Sequence, residues 1–572
     1  SNQNNAEVMQ RNWNILSSDN AVVTELAKAL NVSEIIAHLL VLRGITTFKQ
    51  AKLFFRPEIS HLHDSFLMKD MQKAVERIEL AIVKKEKVLV YGDYDVDGTT
   101  SVAMMYLFLK KQEIKVEYYI PCRYDEGYGI SLKGIDYAEA NNFRLIVALD
   151  CGIRAIDQVN YANAKGVDFI ICDHHNPAEK VPQAIAILNP KQKDCSYPYK
   201  ELSGCGVGFK LIQAFGQKNN IDFSEIIEYL DLLTVSIGAD IVPMTGENRV
   251  FSFYGLQLIN QSPRVGLKAL MDVAQKTKDV TISDVVFGVA PRINAAGRIE
   301  HAKKAVEILV EQDYAKAKLF ADKIEENNIT RRGLDKSITT EALEMIDAAK
   351  RSTVVHSENW HKGVVGIVAS RLIESYYKPT IVLAEKDGVL TGSARSVHDF
   401  DLYDAISKCS HLCEKFGGHK YAAGLSIKKE NLAQFIDEFE KVVSESITDD
   451  QLTPKINIDK VIDIDAVDDK LYRIIKQFSP FGPKNSAPIF VSKAVVDNGY
   501  GKQVGKDKTH LRINAKRRNS SIAGIGFNMG VFFEIIKDNQ PFDICYSIDE
   551  NEWNGKKSLQ LRLRDLKMKS KA

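Results

Sequence analysis

The sequence predicts an α/β protein of several domains: a doubly wound parallel-sheet domain, a long connecting helix, a second α/β domain and a C-terminal all-β barrel. Three observations carry this. From 86 to about 190, short β-branched runs alternate with helical patterns, the signature of βαβ units. Residues 302–350 are charged and helix-favouring, with no Pro and one Gly, Gly333. Residues 455–568 break into short alternating segments, the pattern of a small barrel. At 572 residues the chain is too long for one core.

In order, residues 1–80 read as a helical segment packing on the first domain, which spans 81–301. Its strands are expected at 88–91, 115–120, 145–149, 168–172 and 184–188, with helices at 99–111, 132–141 and 154–164, and 205–275 mostly helical. The connecting helix covers 302–350. The second α/β domain covers 351–447, with strands near 353–356, 380–384 and 389–395 and helices at 363–377 and 401–415. The acidic stretch around Asp449-Asp450 and Pro454 marks a linker to the barrel. Barrel strands are expected at 456–458, 489–491, 510–513, 521–525, 543–548 and 559–563.

Acidic and histidine clusters stand at the ends of apolar runs. Val88-Leu89-Val90 leads to Asp93, Asp95 and Asp97; Leu145–Leu149 leads to Asp150; Phe169–Cys172 leads to Asp173-His174-His175. Ligands of parallel sheets gather at the carboxyl ends of strands, so one rim would receive these carboxylates and two imidazoles. Packed without counterions they would repel or protonate; divalent cations resolve the conflict. Hard oxygen donors with one or two imidazoles suit manganese or magnesium better than zinc. An EF-hand is excluded, because the twelfth position from Asp93 is Met104 rather than Glu. Gly204-Cys205-Gly206-Val207-Gly208 lacks the preceding strand and the spacing of a dinucleotide fingerprint.

The net charge of +1 excludes a globally basic nucleic-acid binder. The eight cysteines are scattered and read as reduced thiols. No run approaches the roughly 18 apolar residues of a membrane span. No signal peptide is visible, and Ser1 in place of Met points to a trimmed or tagged start. A cytoplasmic monomer away from membranes is expected.

Gly92–Gly98, Asp150-Cys151-Gly152, Asp173-His174-His175 and Gly238-Ala239-Asp240 resemble the four signature motifs of the DHH phosphoesterases. Pro291–Arg298 and Pro480–Asn485 narrow the resemblance to the bacterial single-strand-specific exonucleases of that superfamily, and Gly417–Gly424 resembles the glycine-rich motif of the DHH-associated domain. The resemblance implies a DHH domain, a long helix, the associated domain closing over the DHH rim, and an oligonucleotide-binding (OB) barrel. A further C-terminal domain carried by some relatives is not expected.

It also implies a 5′-to-3′ exodeoxyribonuclease acting on single-stranded DNA in repair and recombination. Hydrolysis would use two Mn2+ or Mg2+ ions held by Asp93, Asp95, Asp150, His174 and Asp240. Asp97 and His175 are further candidates, as alternate or outer ligands; His175 is alternatively a hydrogen-bond donor to the scissile phosphate. A terminal 5′ phosphate would meet Ser393 and Arg395, helped by Arg123, Arg298, Gly417, Gly418 and His419. Many relatives place His where this chain has Tyr91, which puts one metal contact in question. Single-strand-binding protein and a helicase are implied partners.

Between 484 and 518 nine Lys or Arg face two Asp, a local charge of +7. With Tyr500, Lys502, Lys506, Lys508 and Arg512, and Phe490 as a second stacking face, this suits sequence-independent single-strand binding. Two rivals remain: a small-substrate DHH phosphodiesterase, and an inactive replisome-type binding protein. The filled motifs argue against the second.

Overall fold

The computed structural model describes residues 8–299 and 301–569. The chain divides into two compact units, one of residues 53–331 with 479–486, the other of the residues up to 52, 332–478 and those from 487 onward.

The first unit is built on a five-stranded parallel sheet in the order Val116–Tyr119, Lys87–Gly92, Phe143–Leu149, Asp168–Cys172, Ala186–Leu188. Val88 and Val90 face one buried cluster while Leu89 and Tyr91 face another. A strand covered on both sides must be apolar throughout, which is why these runs do not alternate. Lys87–Gly92 is the first strand in sequence, and the chain then adds strands on either side of it. That reversal leaves a crevice at its carboxyl end. The expected helical region is present as Gly204–Lys218, Leu230–Asp240, Gly246–Gln261 and Val265–Val273.

Residues 302–350 do not form one helix. Lys303–Val310 ends and Tyr314–Glu344 begins anew, because Asp313 caps the second helix, accepting from Lys316 N at 3.0 Å.

The second unit contains a five-stranded sheet in the order Cys413–His419, Ala422–Lys428, Val389–Arg395, Thr380–Lys386, Thr353–Ser357. The helix expected at 401–415 is only Leu402–Ser407. After one tight turn the chain becomes the strand Cys413–His419; Gly417-Gly418 disfavours helix but allows the flat pairing described below.

The barrel is a seven-stranded sheet, closed by pairing of Phe490–Asp497 with His510–Arg517. Lys455–Ile458 is not one of its strands: it pairs in parallel with Asn12–Ile15. The N-terminal segment is therefore neither wholly helical nor attached as a whole to the first unit, since residues up to 52 group with the second. Pro480–Asn485, within the span 455–568 expected to form the barrel, is not part of it either. It docks in the first unit, where Met244 N donates to Pro483 O at 2.8 Å and Arg249 Nη1 to Pro480 O at 3.3 Å. Among the described residues no helix is long and apolar enough to cross a membrane.

Candidate metal centre and phosphate site

Three strands and two helices deliver the acidic and histidine motifs to one place. Asp93 follows the strand Lys87–Gly92, fully buried, accepting from Tyr94 N at 2.8 Å and Gly129 N at 3.3 Å. Asp95 caps the helix Val96–Lys111, accepting from Gly98 N at 2.7 Å. Asp97, in the first turn, is held by Gly204 N and Cys205 N, both at 2.8 Å, and by Ser236 Oγ at 2.7 Å. Those amides open the helix Gly204–Lys218, whose positive end favours a carboxylate. Asp240 ends the helix Leu230–Asp240.

Asp150 follows the strand Phe143–Leu149 with φ 61°, in the left-handed region. A Cβ on Gly204 would lie 2.6 Å from Asp150 Oδ1, so only glycine lets this helix start against the carboxylate. His174 Nε2 is 3.0 Å from Asp150, 3.4 Å from Asp97 and 3.5 Å from Asp240. Asp150, His174 and His175 form one cluster of donor atoms, and Asp97, His174 and Asp240 another, each set lying within 4.8 Å.

Both carboxylate oxygens of Asp150 and the Nε2 of His174 are buried, and even the 3.0 Å approach of His174 to Asp150 lacks hydrogen-bond geometry, so none of these atoms makes a hydrogen bond. Buried polar atoms are rarely left so, and here all of them point into one cluster. Burial and the neighbouring Asp97, Asp95 and Asp240 push the Asp150 carboxyl well above its usual range. Burial and Asp95 raise Asp93 to about 8; burial and Asp97 raise Asp240 to about 9. Five carboxylates around one imidazole, short of counter-charge, fit divalent cations with oxygen preference.

A pH dependence follows from these shifts. Below pH 8–9 the empty cluster retains protons on Asp93 and Asp240. A cation must displace them, so manganese affinity should rise steadily from pH 6 to 9 and binding should release protons. Calorimetry in buffers of different ionisation heat counts those protons. Affinity flat across that range would contradict the picture.

Asp173 carries no role of its own in the sequence reading beyond its motif, yet it sets the orientation of its neighbour. Its Oδ1 accepts from His175 Nδ1 at 2.6 Å, and Ile153 N and His174 N add further bonds. Burial alone would raise its carboxyl, but the His175 bond and charge hold it low. His175 Nε2 is left toward Tyr128 Oη, 3.4 Å away. Asp173 heads its own motif, so the signal was present; Tyr128 carried none.

Tyr91 is on the opposite face of the sheet. It is fully buried, donates to Gly129 O at 2.7 Å and accepts from Ser131 N at 3.0 Å. Its hydroxyl is thus occupied in holding the loop whose Gly129 N supports Asp93.

Arg123 lies with its guanidinium 5.3 Å from the ring of Tyr94, the residue between Asp93 and Asp95 in sequence. A cavity of about 100 Å3 there is lined by Tyr94, Arg123, Gly297 and His301, and the charge of Arg298 also bears on Tyr94.

In the second unit, sheet register collects other predicted residues. Gly417 pairs with Gly424 and Gly424 with Ser393; His419 pairs with Ala422 and Ala422 with Arg395. Paired residues share a face, so Ser393, Arg395, Gly417 and His419 lie together on a floor opened by glycines. Gly418 turns to the other face. A Cβ on Gly366, in the first turn of the helix Val365–Ser375, would lie 2.8 Å from Arg395 Nη2 and 3.3 Å from Ser393 Oγ. A hydroxyl, a guanidinium and a helix N-terminus therefore meet, a combination suited to phosphate. Gly366 went unremarked in the sequence.

In the barrel, Lys502 pairs with Arg512, Tyr500 is 80% exposed, and Lys506 and Lys508 sit in a tight turn, but Phe490 is buried against Tyr546 in the barrel interior and offers no stacking face.

Comparison with known proteins finds three known domains along the chain. The DHH family N-terminal domain matches residues 87–237, the DHHA1 domain 349–445 and the RecJ OB domain 458–565. The single-stranded-DNA-specific exonuclease RecJ of Bacillus subtilis (strain 168) is 35% identical over 97% of this chain and 70% of that protein. The chain belongs to the RecJ family. The Escherichia coli (strain K12) RecJ is 30% identical, covering 86% of this chain and 89% of that protein. The crystal structure of RecJ from Thermus thermophilus in complex with Mn2+ superposes with a TM-score of 0.85 at 25% identity, covering 98% of this chain and 80% of that one.

Proposed function

We propose that this chain is a metal-dependent exonuclease that degrades single-stranded DNA from its 5′ end to mononucleotides, in DNA repair and recombination in the cytoplasm. The observation that carries the reading is the convergence of the four motifs on unpartnered Asp150 and His174 atoms. The curated relatives are named as exonucleases of this specificity.

Asp93, Asp95, Asp150, His174 and Asp240 would hold two divalent cations. When bound, such a pair activates water and stabilises the leaving oxygen of an in-line displacement. Asp97, fixed by three donors, holds its carboxylate rigid beside His174. His175, steered by Asp173, presents Nε2 to a phosphate oxygen at the rim. Asp173→Asn should lower kcat more than it raises KM, because His175 loses its orientation while substrate contacts persist; equal changes in both would make Asp173 merely structural.

Ser393, Arg395 and the amides beside Gly366 would take the terminal 5′ phosphate. Arg395→Ala should slow digestion of 5′-phosphorylated strands by about tenfold or more, in line with loss of a charge-assisted bond. Strands ending in a 5′ hydroxyl should change little. Equal loss on both sets Arg395 on an internal phosphate, and first release of nucleotides from the 3′ end would refute the polarity. Single-strand-binding protein and a helicase belong to the same proposal as partners.

A further inference from the structure

Two long strands of the barrel, Phe542–Trp553 and Lys556–Met568, pair along their whole length up to Trp553 opposite Lys556. The other strands leave them earlier: Phe490–Asp497 reaches only Tyr546, and Ser520–Gly526 only Leu561 and Arg562. Residues 549–553 and 556–560 thus form a two-stranded ribbon extending beyond the barrel sheet. Asn554 and Gly555 close it with φ of 50° and 76°, the two left-handed residues of a type I′ turn. Such a ribbon is marginal on its own; the turn and an ion pair between Glu550 and Lys557 at 3.5 Å support it.

Sheet register defines what one face of this ribbon carries. Lys502 pairs with Arg512, Arg512 with Ile525, and Ile525 with Arg562. Directly paired residues share a face, and their sequence neighbours Leu511, Ile513 and Leu561 are buried, so this row lies outside the barrel. Alternation along the strands continues the same face from Arg562 to Lys556 and Trp553, about 20 Å away at about 3.4 Å per residue. With Lys516 the face has five cations against one carboxylate, Asp549. Two aromatic rings stand among them. Phe527 is 51% exposed with the Arg562 guanidinium 5.3 Å from its ring, and Trp553 is 74% exposed at the tip.

We propose that this face is a track for single-stranded DNA, running from the Lys502–Arg512 pair along the ribbon to Trp553, on which a base stacks. The proposal rests on the reading of this chain as a single-strand enzyme and extends its grip beyond the barrel. Cations spaced along a path with aromatic platforms at intervals bind a flexible polyanion without reading its sequence. The ribbon's opposite face, with Glu550, Glu552 and Lys557, lacks both features.

The test uses the whole protein in EDTA, so that the strand survives. The probe is a thymidine oligonucleotide of about 16 residues, the upper site size for one such barrel. Trp13 is half-buried and Trp360 is 5% exposed, which makes Trp553 the responsive fluorophore. The oligonucleotide should quench the parent, and Trp553→Phe should remove most of that quenching. Trp553→Ala and Lys556→Glu should each weaken binding by about tenfold, the effect of losing one stacked base or one contact. Unchanged affinity in both variants overturns the track while the parent still digests single strands. Quenching by polyglutamate but not by the oligonucleotide also overturns it and assigns the face to an acidic peptide. A parent that neither binds nor digests single strands overturns the underlying reading instead.

Discussion

Asp150→Asn is expected to abolish hydrolysis and, in the absence of metal, to make the protein more stable. The two effects share one cause. Asp150 holds two buried oxygens without partners among Asp95, Asp97 and Asp240. Its carboxyl is therefore unfavourable in the folded state until a cation arrives, and a neutral amide of the same shape removes the penalty. Asn also tolerates the left-handed backbone at this position, whereas Ala would add strain. Disturbing even the outer partner of a metal ligand costs about 10–100-fold, so turnover should fall by more than about a hundredfold. In thermal unfolding, manganese should raise the midpoint of the parent and leave the variant unmoved. A variant whose metal-free midpoint drops, or one that retains near-normal turnover, would remove Asp150 from the metal set.

Lys210→Met should be the most destabilising single change. Lys210 is fully buried on the helix Gly204–Lys218, 2.9 Å from Glu247 and 2.8 Å from the carbonyl of His63. Glu247 also accepts from Tyr197 Oη and from His63 N. The pair joins two helices and the segment before the sheet. Removing one partner leaves a buried uncompensated charge, a cost of about 3–5 kcal/mol. A unit of this size should then melt about 6–15 °C lower. The double variant Lys210→Met, Glu247→Leu should recover most of the loss, since a well-packed apolar pair can replace a buried ion pair. Activity should fall along with stability, because the same helix presents Gly204 N and Cys205 N to Asp97. A melting point within a degree of the parent would show that Glu247 is satisfied without its lysine.

The carboxylate–histidine cluster was legible because its chemistry is local. Each ligand follows an apolar run or sits in a short motif, and strand ends of a parallel sheet converge by topology. The phosphate floor of the second unit was half legible. Ser393 and Arg395 were visible on one strand, but the face they share with Gly417 and His419 depends on the strand Cys413–His419, whose first residues fall in the helix expected at 401–415. Gly366 has no local mark at all; only the approach of Arg395 explains it. The segment 479–486 misled for a different reason. Pro480–Asn485 lies between two barrel strands in sequence, but its carbonyls meet Arg249 and Met244 of the first unit, a long-range contact that no local pattern announces. The ribbon was the opposite case. Asn554-Gly555 is a strong hairpin signal, and it places both strands several residues beyond the expected 543–548 and 559–563.

The central claim, that this cluster is a metal-dependent centre for cutting single strands, is tested most directly by one digestion. Purified protein is incubated with 5′-labelled DNA, single-stranded and blunt double-stranded, with manganese, with magnesium and with EDTA. The account predicts loss of the single strand as labelled mononucleotide with a divalent metal, none in EDTA, and an intact duplex. Digestion that continues in EDTA, or cleavage confined to cyclic dinucleotides and very short oligonucleotides, would contradict it.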